Sequence, residues 1–186
     1  MTYRQFIKSL VCVLVLSATA GSVFAQSGTE SGDQKGKQEY VQKHFERMYK
    51  KAVERASEKL ENGTPVKAFA VVVSRKDEVR VVEIEQLKKM PADVALEVLK
   101  RSLRALVAKK GSVGAVCMVY SSKNPNKDAK AEYVLVAQME HIFGPTLAQL
   151  TPYTMKSGDA KFGEPVVASM EPTIFKIEKK GGEGGE

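Results

Sequence analysis

Glu140 and His141 stand side by side in the stretch AQMEHIFG, directly after a strongly apolar run. A carboxylate next to an imidazole is a familiar general-base couple, so chemistry is sought here first. The couple works only if both side chains lie on the same side of the chain, and along a strand they alternate. If a strand runs on from Tyr133, then Tyr133, Leu135, Ala137, Met139, His141 and Phe143 face one way, and Gln138 and Glu140 the other. The neighbours therefore point apart. His141 ends an apolar row, where a partly buried imidazole with one hydrogen bond is expected. A hydrolase-type enzyme would need His141 to meet a distant carboxylate, such as Asp128 or Asp159.

Cys117 is the other conceivable nucleophile. If its strand and the strand of His141 form a hairpin about Asn126, Cys117 lies opposite Val136 and His141 opposite Ser112. Five residues of strand then separate thiol and ring, about 16 Å, well beyond the reach of a dyad. Cys117 is expected to be a small core residue with a raised pKa. His44, beside Lys43 and Arg47, reads as a second isolated histidine, and two isolated histidines make a poor metal site. No serine sits in a Gly-x-Ser-x-Gly elbow. GSVG at Gly111–Gly114 lacks the lysine of a phosphate loop and leads into a strand. Neither a metal nor a cofactor is expected. Asn62-Gly63-Thr64 matches a glycosylation acceptor, but Asn-Gly followed by Pro65 reads as the end of a helix.

The elements that must position these residues follow from periodicity. Val41, Phe45, Met48, Ala52, Ala56 and Leu60 recur at spacings of three and four and predict a helix from Glu39 to Glu61. Two valine-rich runs around the polar SRKDE predict a hairpin, with strands at Val66–Ser74 and Glu78–Ile84. The stretch MPADVALEVLKRSLRALVAKKG predicts a second helix, opened by Pro91 and stopped by Gly111. The runs SVGAVCMVY and AEYVLVAQME are apolar on both faces, as strands in the middle of a sheet are. Two short strands follow in TLAQLTPY and EPVVASMEPTIFKI, which Pro152, Pro165 and Pro172 confine to edges or ends. The order αββαβββ implies one α+β domain over residues 39–178, its two helices forming one layer on a mainly antiparallel sheet of about five strands. Roadblock-like and profilin-like domains, and the deaminase fold, begin with a similar order, and this analogy implies no activity. Zinc deaminases also need a Pro-Cys-x-x-Cys pair, for which the chain lacks the cysteines.

The ends of the chain bear on where it works. Arg4 and Lys8, then LVCVLVLSATA, then SVFA have the three-part layout of a secretory signal peptide, residues 1–25, with cleavage after Ala25. Residues 26–38 read as a disordered leader and 179–186 as a flexible tail. The formal charge of +7 loses two positive charges with the signal, and 7 less 2 leaves +5 on the mature chain. Cys117 is then the single cysteine, so an exported protein with no internal disulfide must rely on its core. Lys100, Arg101, Arg104, Lys109 and Lys110 cluster on the second helix, and such a face suits a polyanion or a membrane surface. It carries no aromatic residue to stack on bases, which argues against nucleic acid. The resulting expectation is a periplasmic or secreted, non-catalytic binding or protein-interaction module. Its partner would be an envelope protein, an anionic surface, or a second copy joined through a sheet edge.

Overall fold

The computed structural model describes residues 30–175. The expected signal peptide, residues 26–29 of the leader and the tail from 179 lie outside the described residues. Helix α1 spans Glu30–Glu61 and is followed by strands β1 (Phe69–Ser74) and β2 (Val79–Val82). A 3-10 turn at Glu85–Lys89 leads into α2 (Ala92–Lys110). Then come β3 (Val113–Lys123), β4 (Tyr133–His141), β5 (Thr146–Lys156), β6 (Asp159–Phe162) and β7 (Val166–Ala168). The result is a single α+β domain with a curled antiparallel sheet of seven strands.

The predicted apolar stripe of α1 is its buried face. Val41, Phe45, Met48, Ala52 and Ala56 pack on Val71, Val73, Cys117, Leu135 and Met139. The helix starts nine residues before the expected Glu39, at Glu30. Gln34 to Glu39 are exposed there. No packing signal marks such an extension, because each residue added to an existing helix gains one backbone bond without a new nucleus. At the other end Gly63 takes φ +68° and the Asn62 amide donates to the Glu58 carbonyl at 2.7 Å, so Asn-Gly does terminate the helix.

The sheet runs β2-β1-β3-β4-β5-β6, with β7 also pairing β5. The two helices do not share a layer, contrary to expectation. Val71 and Val73 of β1 face α1, while Ala70 and Val72 face Ala95, Leu99 and Leu103 of α2. Strands apolar on both faces require cover on both faces, and one helix supplies each. Gly111 at φ +50° closes α2 and turns the chain into β3.

Pro152 lies inside β5, an interior strand, rather than at an edge or end. Its carbonyl accepts from Gly163 N at 2.8 Å, on the side away from β4. The missing N–H of a residue points the same way as its carbonyl, so the β4–β5 ladder loses nothing. The proline falls between the positions that β7 and β6 occupy along that edge.

Candidate functional site

Strand alternation holds at the central pair. Glu140 and His141 are both buried, and they face opposite sides of the sheet. On the α2 side, the Glu140 carboxylate accepts four hydrogen bonds. Thr173 N and Oγ1 donate to Oε1 at 2.8 and 2.7 Å, and Ile174 N and Phe175 N donate to Oε2 at 2.8 and 3.0 Å. Glu140 thus clasps the C-terminal strap, whose Ile174 enters the α2 core. Its role is structural.

On the α1 side, His141 does not stand alone. His141 Nε2 lies 3.2 Å from His44 Nδ1, and His44 Nε2 lies 2.7 Å from Asp77 Oδ1. Both rings are fully buried. The hydrogen-bond partners assign the tautomers. Phe143 N donates to His141 Nδ1 at 3.1 Å, so that nitrogen carries no hydrogen. Neutral His141 must then donate from Nε2 to His44 Nδ1, and His44 from Nε2 to the Asp77 carboxylate. Every ring nitrogen is engaged, and every donor points toward Asp77.

Three elements assemble this relay. His44 is three residues after Val41 and four before Met48, which puts it on the buried face of α1. His141 closes β4, opposite Ala115 of β3. Asp77 sits in the β1–β2 turn at φ +64°, a conformation an aspartate tolerates better than most residues. Helix α1 clasps that turn further. Lys43 Nζ donates to Asp77 Oδ2 at 3.3 Å, and Arg47 donates to the Asp77 carbonyl at 2.7 Å. The hydrogen bond from His44 is the main cause that lowers the Asp77 pKa to about 2. Burial lowers the His141 pKa to about 4, with the charge of His44 adding to it. Burial, then the charge of Asp77, raises the Tyr40 phenol.

A cleft of about 640 Å³ opens beside the relay. Its wall includes His141, Phe143, Tyr40 and Gly114, with Lys37 and Arg75 adding positive charge. Gly114 falls where the β1–β3 register shifts, a bulge that ends regular pairing at the cleft. Phe143 leaves 56 % of its surface exposed, and its ring lies 4.9 Å from that of His141.

The other expected residues fall elsewhere. Asp128 and Asp159 follow the β3 and β5 ends remote from His141, so neither is its acid. The hairpin pairs Cys117 with Met139 and Ala115 with His141, three residues away from the expected register. Cys117 and His141 are diagonal neighbours about 7–8 Å apart, not 16 Å, and still no dyad. Cys117 is completely buried, and burial pushes its thiol pKa up. We expect it to resist thiol reagents in the folded protein over hours and to react at once in denaturant. Fast stoichiometric labelling under native conditions would contradict that burial. Of the five basic α2 residues, Lys100 pairs with Glu97 at 2.7 Å and Arg104 Nε donates to the Thr173 carbonyl at 2.7 Å. Arg101 and Lys109 are exposed, and Lys110 ends the helix. Arg104 is thus part of the strap's attachment. Among the described residues, no three His, Cys, Asp or Glu side chains group to hold a metal. Also among them, no helix is long and apolar enough to cross a membrane.

No family model, curated protein or solved structure matches this chain.

Proposed function

We propose that this chain is an exported, non-catalytic binding module and that the cleft beside His141 holds its ligand. Export rests on the layout of residues 1–25. The non-catalytic reading rests on the wiring of the relay. A general base needs a nitrogen lone pair turned toward substrate, and the one unprotonated nitrogen of His141 accepts Phe143 N. The nearby thiol, Cys117, is sealed in the core. What remains open is a recess with aromatic walls and two cations, the composition of a binding site.

The reading is tested by assaying the purified mature protein on chromogenic esters, phosphomonoesters and peptides, beside its His141→Gln variant. The expected result is no turnover above buffer for either protein. Turnover that falls in the variant would overturn the reading in favour of a hydrolase built on His141 and Asp77.

A further inference from the structure

The relay has one arrangement of protons in which every partner is satisfied, and one place where a further proton can enter. The Asp77 end is fixed by the carboxylate, which only accepts, and the Phe143 end by a backbone N–H, which only donates. If a proton arrives from solvent at His141 Nδ1, His141 can pass its Nε2 proton to His44 Nδ1. The positive charge then settles on His44, 2.7 Å from Asp77, while the new N–H stays at the His141 end. There it faces the Phe143 N–H across 3.1 Å, donor against donor. Both residues line the cleft. An acceptor oxygen lodged between them would satisfy both.

Resting on the binding-module reading, we propose that the cleft binds the carboxylate of a small organic acid together with one proton. One ligand oxygen accepts both His141 Nδ1–H and Phe143 N–H. Arg75 and Lys37 supply the charge that attracts the anion, and the Tyr40 and Phe143 rings flank its apolar body. The surrounding titratable groups fit this assignment. In the empty site Lys37 and Arg75, with Lys43 and Arg47 beyond Asp77, oppose a further positive charge, and the ligand's own charge offsets them. Tyr40 from α1 and Cys117 from β3 have raised pKa values and stay neutral. Glu140 is turned to the other face and engaged by the strap. The depressed pKa of His141 keeps its own ring unprotonated near neutrality, so the proton arrives there with the anion.

The test is calorimetric titration of the mature protein with benzoate at about pH 5 and about pH 8, in two buffers of different ionisation enthalpy. Expected are uptake of about one proton per benzoate and, as that uptake requires over about three pH units, affinity about a thousandfold tighter at the lower pH. Arg75→Gln weakens binding at both pH values. His141→Gln abolishes proton uptake. Asp77→Asn removes the carboxylate that faces His44, and so reduces both the proton uptake and the pH dependence. Circular dichroism confirms that each variant is folded. Benzoate binding without proton uptake, or no binding at either pH, would overturn the proposal. Neither result would touch the binding-module reading, which fails only on turnover in the activity assay.

Discussion

Glu140→Ala lowers folding stability by about 3–5 kcal/mol, an effect expected from a buried, fully hydrogen-bonded carboxylate rather than from a surface acid. The side chain is 1 % exposed and accepts four donors, three of them backbone N–H groups. Alanine removes every acceptor at once. Leaving one buried donor unsatisfied costs about 1–3 kcal/mol, and the strap would relieve part of the sum by peeling away to water. Ile174 then leaves the α2 core, and the Arg104 contact to Thr173 is lost with it. Glu140→Gln keeps one acceptor oxygen but turns an amide toward donors, so it destabilises by an intermediate amount. Urea unfolding followed by circular dichroism gives the magnitude. Amide exchange at Thr173, Ile174 and Phe175 gives the mechanism, since those three amides lose protection first. A loss below about 1 kcal/mol, or unchanged protection of the three amides, would show that the strap is held by something else.

How far the sequence reveals this architecture depends on the range of the interaction. Alternation is local, and it places Glu140 and His141 on opposite faces without knowledge of any partner. The runs SVGAVCMVY and AEYVLVAQME are local too, and their two apolar faces demand a central position, which β3 and β4 have. Register is not local. Residues 124–132 form a wide connection with internal side-chain turns at Asn124 and Asn126. Its midpoint lies near Asp128 rather than Asn126, and this small offset moves every cross-strand pair by three residues. Strand β6 shows a different limit. DAKF alternates polar and apolar, but over only four residues, too short a run to stand out, and the more informative residues precede it. Ser157 and Gly158, at φ +54° and +89°, form the two-residue turn that folds β6 onto β5. His44 was readable as a member of the α1 stripe, since it shares the face of Val41 and Met48. Asp77 was not, because its role needs a left-handed turn 33 residues away from His44 in sequence.

The stability of the fold should fall by about 3 kcal/mol as pH is lowered from about 6.5 to about 4, through His141 alone. The sign follows from proton counting. The unfolded histidine takes up its proton near 6.5, while the folded one resists until about 4. Across that window the unfolded state binds more protons, so acid favours it, and the full penalty is reached below the folded value. Asp77 acts in a lower window. Its carboxylate is held to about 2 in the fold, so its contribution is present above the ordinary aspartate value near 4 and is lost as pH drops through about 2. The two windows adjoin, and the relay therefore weakens in two steps. His141→Gln separates them. The glutamine oxygen can accept Phe143 N–H and its amide can donate to His44 Nδ1, reproducing both polar contacts without a titrating group. The expected result is a variant of modestly lower stability at neutral pH whose unfolding free energy changes much less than the wild type's between about pH 6.5 and 4. Equilibrium urea unfolding across that range measures both curves, and parallel curves would mean that the buried ring is not what makes the fold acid-sensitive. The physical basis of the slope is that a relay with one satisfied proton arrangement has no empty lone pair for another proton. Protonation must break the Phe143 hydrogen bond, and the turn that closes the cleft bears that loss.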